Sequence, residues 1–522
     1  MEPHYPFARH VAGVDVDVAR AARWTAVVCL AAFSVVALRA QPPPPRTHLV
    51  IVVDGLRPDY VTPEAMPRLV QLGRRGVVFS AHHSVFPTVT RVNAASIATG
   101  AYPEGHGLLG NTVFFPAVNA TRGLDTGSRA NLEAIAHADG RLLTAPSVGE
   151  ILQRAGRKVL AVGSGSSGAA FLLNHTVGKG AILHHEFTRP PELAAHVLET
   201  LGPPPANAMP NAAQNRRAVD AYLTLGLAEI RAEVTLMWLS DPDTTAHTRG
   251  IGAAPTREAL TLVDREIGRI EDTLKAKGLL DSTNLVVTSD HGFTTHTGTF
   301  DLGALVGPFV RPMPDGSPDI VVAEGAVHFR RGADAVRAAA IVAALQRRPE
   351  VGAIFTRPGP RGGPEGVVPG TLSFGVARWN HPRSAEILVS ANWTSEKNEA
   401  GYEGKTTQSG VAGHGSTSPY DIHIPLIAAG PDFRQGAVSD VPTSNVDLAP
   451  TLLRLMGLEA PPTMSGRAIE EGLRRNGSTG ASGRTTRATE TVRTPDGSYE
   501  LTAHFSVAAG HRYLDFTEVK RR

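Results

Sequence analysis

The sequence predicts an α/β fold: a doubly wound, mostly parallel sheet with helices on both faces and an inserted cap region. Two observations carry this. Short apolar runs recur at residues 48–54, 159–163, 234–241, 285–290 and 424–428, and helical patterns at 147–155, 211–233, 255–277 and 446–456 fill intervals between and after them. The runs are almost continuously hydrophobic, as parallel strands covered on both faces are. A third observation concerns their ends. Asp54, Asp241 with Asp243, and Asp290 with His291 terminate three of the runs, and open α/β sheets bind ligands outside the carboxyl ends of their strands.

With 522 residues, a sizeable core is available and either one large domain with an insertion or two domains is expected. Residues 24–38 form an apolar stretch behind Arg20 and Arg23. It has the length of an export-signal core and is short for a membrane span of about 20 residues. The expectation is an exported protein, periplasmic or extracellular, or anchored with its catalytic part outside if the segment is not cleaved. Residues 1–46 therefore comprise this segment and a stiff spacer with four consecutive prolines. Residues 47–294 read as the first part of an α/β core. The irregular segment 295–408 reads as a cap, with β-like runs at 320–322 and 385–389, one helix at 333–348 and a Gly/Pro-rich stretch at 358–370. Residues 409–466 return to the core, and 467–522 read as a polar linker, most evident at 472–487, followed by a hairpin of 499–505 and 513–519.

Charge narrows the chemistry by exclusion. Lys and Arg total 51 against 49 acidic residues, a formal net charge of +2, and no basic block suggests a nucleic-acid-binding surface. The single cysteine, Cys29, lies in the N-terminal apolar stretch, so an internal disulfide or a multi-thiolate metal site is excluded. Any transition metal must be held by His and carboxylate groups.

Asp243 and His247 stand four residues apart just beyond a strand end, a spacing that aims both at one ion; a solvated loop carboxylate with an incidental histidine is the alternative. Asp290-His291-Gly292 puts two ligand types at a buried strand tip, with glycine expected to make a tight turn. Gly413-His414-Gly415 sets a third histidine between glycines, either wrapping a ligand or forming an exposed turn. Together, Asp54, Asp243, His247, Asp290, His291 and His414 make three carboxylates and three imidazoles, enough for two divalent cations with open positions. Most of the 20 histidines must be ordinary, and His82, His83, His184 and His185 receive no role. Thr90, at the start of a probable helix, offers a hydroxyl nucleophile where exposed N–H groups favour an anion; the alternative is a simple N-cap.

Asp54-Gly55, Thr90 with Asn93, the turn Tyr102-Pro-Glu-Gly-His-Gly107, Asn111, Asp243 with His247, Asp290-His291-Gly292 and Gly413-His414-Gly415 occur in one order. In this the chain resembles the nucleotide pyrophosphatase/phosphodiesterase family of the alkaline phosphatase superfamily over residues 47–457. The resemblance implies an alkaline phosphatase-like fold and two zinc ions, other divalent metals being possible. One would be held by Asp243, His247 and His414, the other by Asp54, Thr90, Asp290 and His291. It also implies that Asn111 and the Thr90 N–H hold a phosphoryl oxygen, and that the substrate is a small phosphodiester or nucleotide.

The chain departs from the family pattern at Arg91-Val92, where Phe-Pro is common, and at Ala94, where His is common. Substrate preference is thus open, and Arg91 either touches an anionic substituent or points to solvent. A monoester or phosphonate substrate is the competing enzymatic reading, and a non-catalytic anion-binding envelope protein the competing non-enzymatic one. A sulfatase would need Cys or Ser in a Cys/Ser-x-Pro-x-Arg motif, which Thr90-Arg-Val lacks.

Overall fold

A computed structural model describes residues 46–360, 362–474 and 485–522. The apolar stretch 24–38 with Cys29, most of the proline spacer and most of the polar linker fall outside the described residues. Ten strands form the central sheet: β1 (Thr47–Val53), β2 (Val77–His83), β3 (Val159–Gly163), β4 (Ala181–His184), β5 (Thr188–Arg189), β6 (Val234–Leu239), β7 (Thr283–Thr288), β8 (His423–Ala429), β9 (Ala437–Ser439) and β10 (Thr443–Ser444). Their order is β9-β2-β8-β7-β1-β6-β3-β4-β5, with β10 also pairing β2.

The block β7-β1-β6-β3-β4 is parallel throughout, and β1 sits inside it with partners on both sides. Residues 424–428, expected as another parallel strand, instead lie in β8, which runs antiparallel to both β7 and β2. A buried apolar run specifies coverage on two faces but not direction, which the connection decides.

Alternation along β1 separates two cores. Val50 and Val52 face a cluster with Ala94, Ile97, Leu132, Leu172 and Leu452, whereas Leu49, Ile51 and Val53 face one with Leu72, Val219, Leu260 and Ile267. Helices therefore cover both faces, as the doubly wound reading requires. Helix starts follow local chemistry. Ser147 and Glu150 form a reciprocal capping box ahead of Val148–Arg154, and the 23-residue helix Ala254–Ala276 carries proline in its first turn. Among the described residues, no helix is long and apolar enough to cross a membrane.

Residues between β7 and β8 build two further sheets. One is four-stranded, with Thr294–Phe300 paired to Glu403–Gln408. The other is five-stranded and includes Ile320–Ala323, Ala326–Phe329 and Ile387–Ala391, with the helix Ala335–Gln346 beside it. At the far end the expected hairpin gains a third strand, giving Thr486–Arg493, Tyr499–Ala508 and His511–Arg521. The apolar side of this ribbon, with Tyr499, Leu501 and Phe505, shares one core with Ile354, Phe355 and Leu388 of the five-stranded sheet.

Candidate active site

Helix α1 (Thr90–Thr99) is buried along nearly its whole length because Ala94, Ala95 and Ala98 let neighbours approach closely. Its N-cap is Val89, in extended conformation, and Thr90 is the first helical residue. The Thr90 hydroxyl is thus not the helix cap. It lies 3.3 Å from His291 Nε2 and is almost fully buried. Asn93 fastens α1 to the neighbouring loops: its Oδ1 accepts from Val85 N–H and from Asn445 Nδ2, and Asn445 Nδ2 also reaches the Asp290 carbonyl.

Four segments deliver the six expected metal-binding side chains. Asp54 follows β1, and Gly55 behind it has φ +72°, with room for a Cβ denied by Phe293 and Asp243. Asp243 opens helix α2 (Asp243–Arg249), whose N–H donates to the Asp54 carbonyl, and His247 lies one turn on. Asp290 and His291 follow β7. Gly292 makes no left-handed turn, contrary to expectation; a Cβ there would lie 2.0 Å from the Tyr420 carbonyl oxygen, so close approach requires the glycine. His414 sits in the loop before β8, and Gly415 has φ +107°.

These side chains meet as two trios. Asp243 Oδ2 is 3.1 Å from His247 Nε2 and 3.4 Å from His414 Nε2. His291 Nε2 is 3.0 Å from Asp290 Oδ2 and 3.5 Å from Asp54 Oδ1. The His291 and His414 rings stack 3.4 Å apart and join the trios, while Phe293 packs against His247 and His414 from the side.

The hydrogen bonds of the three rings determine what faces inward. His247 Nδ1 donates to the Ala412 carbonyl, His414 Nδ1 to that of Thr88, and His291 Nδ1 to that of Gly292. A carbonyl only accepts, so in each neutral ring Nε2 carries a lone pair. Asp54 Oδ1, Asp243 Oδ2 and Asp290 Oδ2 are buried without a hydrogen-bond donor. Lone pairs therefore converge on lone pairs, an arrangement that demands positive charge at the centre of each trio.

The titration of the metal-free chain expresses the same demand. Burial, then repulsion from Asp290 and Asp243, pushes Asp54 well above the usual carboxylate range. Burial acts likewise on Asp243 and Asp290, but the imidazoles beside them outweigh it and hold both below that range. His247 and His291 rise despite burial because of Asp243 and Asp290 respectively, whereas burial and His291 bring His414 to about 4. The donor set of nitrogen and oxygen atoms, and its spacing, fit two divalent cations.

Asn111 stands at the start of α1. Its Oδ1 accepts from Arg91 N–H at 2.9 Å, which leaves Nδ2 as the amide's donor. Its own N–H donates to Glu324, in the turn between Ile320–Ala323 and Ala326–Phe329. Glu324 has φ +54°, a left-handed conformation at a position that touches the site. The Arg91 side chain does not point freely to solvent: its guanidinium is 3.8 Å from Asp125 Oδ1, and its Nε is buried without a partner. Asp241, which also ends a run, turns away and accepts from Asn211 N–H and Thr245 Oγ1.

Sequence reasoning missed Trp238 and Glu324. Trp238 Nε1 donates to Asp54 Oδ2 at 2.9 Å and so fixes which Asp54 oxygen faces the trio. An indole N–H inside a buried strand is a usable signal, since it needs an acceptor. Glu324 carries no such mark in the sequence.

Residues 48–407 match the family described as type I phosphodiesterase / nucleotide pyrophosphatase. Venom phosphodiesterase 2 of Crotalus adamanteus is 25% identical over 246 residues, covering 47% of this chain and 26% of its own length. The chain thus spans about a quarter of that relative's length. Murine ectonucleotide pyrophosphatase/phosphodiesterase 5 superposes with a TM-score of 0.57 at 20% identity over 82% of this chain and all of its own, and an inactive Thr-to-Ala variant of it was solved with AMP. A variant of the alkaline phosphatase PafA gives a TM-score of 0.58 at 16% identity over 83% of this chain and all of its own, so the fold is alkaline phosphatase-like. With the match extending over most of its length, the chain belongs to the type I phosphodiesterase/nucleotide pyrophosphatase family.

Proposed function

We propose that this chain hydrolyses phosphodiester or pyrophosphate bonds through a covalent intermediate on Thr90. The observation that carries the reading is the convergence of three donor-less carboxylate oxygens and three imidazole Nε2 atoms beside one buried hydroxyl. Asp243, His247 and His414 would hold one cation, and Asp54, Thr90, Asp290 and His291 the other, zinc being the natural choice for this nitrogen and oxygen set. When bound, the two cations supply Lewis acidity that favours the ionised hydroxyl and water and offsets charge on the phosphoryl oxygens.

Thr90 Oγ1 gives up its proton, which the leaving oxygen takes up, and forms a bond to phosphorus as the bond to that oxygen breaks, giving a phosphothreonine diester. Water then forms the new bond to phosphorus, and Thr90 departs and regains its proton. Asn111 Nδ2 and the Thr90 N–H hold a phosphoryl oxygen through the sequence. An amide makes no demand for a second negative charge, which favours diesters over monoesters. The segment 295–408 borders the leaving-group side and reaches Asn111 through Glu324. The words venom and ectonucleotide in the relatives' names support an exported location, in line with residues 24–38 as a signal or anchor.

The test is turnover of a nitrophenyl diester and the matching monoester by zinc-loaded protein. The diester is expected to be the faster, and Asp290→Asn to lower its turnover by at least about 100-fold with loss of bound zinc. Wild-type turnover in Asp290→Asn overturns the reading. Faster monoester turnover would favour the second reading, in which the partly unpaired Arg91 guanidinium grips a dianion. Trp238→Phe keeps the packing and removes the bond to Asp54; it is expected to weaken zinc retention about 10- to 100-fold, measured by competition with a chelator.

A further inference from the structure

Away from the catalytic trios, His83 at the end of β2, His423 at the start of β8 and Asp515 in the strand His511–Arg521 bring three ligand atoms within 4.8 Å of one another. His83 and His423 are direct cross-strand partners, with rings 4.7 Å apart. Asp515 comes from the terminal ribbon, 432 positions after His83, so the grouping is a product of the fold and not of local sequence.

The chemistry shares one trait with the active site, two imidazole nitrogens turned toward one carboxylate oxygen, although here that oxygen also accepts from Ser506. His83 Nδ1 donates to the Thr443 carbonyl at 2.9 Å, so in the neutral ring the lone pair is on Nε2. That Nε2 faces Asp515 Oδ1 at 2.9 Å, and His423 Nε2 faces the same oxygen at 3.9 Å. The two distances straddle the edge of about 3.3 Å expected between ligands of a tetrahedral zinc with bonds near 2.0 Å. Other residues orient Asp515: the one Ser506 hydroxyl proton is shared between Oδ1 at 2.8 Å and Oδ2 at 3.0 Å, and Arg487 donates to Oδ2 at 2.7 Å. Such outer partners are what a ligating carboxylate requires. The Arg487 side chain is 72% exposed, so solvent screens its charge from the Oδ1 side.

His83 and Asp515 are buried, while His423 is one-third exposed and gives an ion and its water a way in. A cavity of about 220 Å³ lined by His83, Ser444 and Tyr513 adjoins the group.

We infer that His83, His423 and Asp515 form a third divalent-cation site, of zinc class, which clamps the terminal ribbon to β2 and β8 of the central sheet. Three protein ligands leave a fourth position for water on the His423 side. An ordinary ion pair would need only His83 and Asp515, whereas here His423, which also bonds the Asp515 backbone, turns a second imidazole nitrogen toward the same carboxylate oxygen.

The test is elemental mass spectrometry of full-length protein, loaded with zinc and dialysed against metal-free buffer. Wild type is expected to retain one zinc equivalent more than His423→Ala, whatever the catalytic trios hold, with turnover of the nitrophenyl diester equal in both. Asp515→Asn is expected to lose the same equivalent, and His423→Asp, which restores a ligand, to recover it. Because His423 is partly exposed, its alanine variant tests binding without emptying the core. Equal zinc content in wild type and His423→Ala overturns the inference, as does a loss in His423→Ala that His423→Asp does not restore.

Discussion

Thr90→Ala is expected to lower diester turnover by at least about 1000-fold while leaving zinc content and thermal unfolding close to wild type. The two parts of this result have different origins. The Thr90 hydroxyl stands beside both the buried His291 imidazole and the anion-favouring end of the helix, and alanine leaves no oxygen there to attack. Yet Val89 and not Thr90 caps the helix, and Asn93 anchors it through its own bonds to Val85 and Asn445, so the loss of one hydroxyl leaves the scaffold intact. Steady-state kinetics with zinc analysis separates the cases. A variant that turns over normally removes the covalent route, and one that loses zinc and stability together makes Thr90 a structural residue.

The second large effect is on stability in acid. His48, His106 and His184 are buried as neutral rings, each accepting a hydrogen bond at Nδ1, from Asn284 Nδ2, Leu108 N–H and Glu186 N–H respectively. Burial brings His48 to about 4 against the opposing pull of Asp432, and burial, helped by His381 and His185 respectively, brings His106 and His184 to about 3. The unfolded rings take up protons near pH 6.5, ahead of the folded ones. The stability these residues contribute is therefore complete above 6.5 and is lost as pH falls toward the folded values, at about 1.4 kcal/mol per pH unit for each. Asp421, which burial raises to about 6, acts in the opposite sense over part of the range, so total stability is a poor readout.

The difference between wild type and His106→Gln isolates one histidine. Glutamine keeps partners for Ser96 and Leu108 but cannot titrate. The wild-type advantage is expected to shrink by about 2 kcal/mol between pH 6.5 and 4.5, measured by denaturant unfolding. A pH-independent difference would mean that His106 titrates alike in the folded and unfolded chains and that burial does not hold it neutral.

The parallel strands, the long helices and the ligand-bearing strand ends were legible because burial on both faces and helical periodicity leave direct marks in the sequence. β2 is not marked as a strand by the sequence, since Ser80, His82 and His83 interrupt its apolar pattern, and their side chains find partners far along the chain, in β9, in β10 with the residues that follow it and, for His83, in the terminal ribbon. The strand Thr486–Arg493 was read as linker because it is largely exposed and gains its order by pairing with Tyr499–Ala508. Within the site, side chains that carry their own chemistry stood out by residue type and placement. Trp238 and Glu324 did not, because their importance lies in which atom they touch across 184 and 213 positions of chain.

The terminal ribbon has a bearing on when a newly made chain acquires its centre. The loop that carries His414 is pinned a few residues on by Thr417, whose carbonyl and hydroxyl both bond Thr517, 100 positions downstream. During synthesis, the segment bearing the last of the six inward-facing side chains thus emerges well before the strand that holds it still. The loop beside His414 therefore gains its last hydrogen bonds only once residue 517 has been made, so the final form of the cradle is a late event in folding.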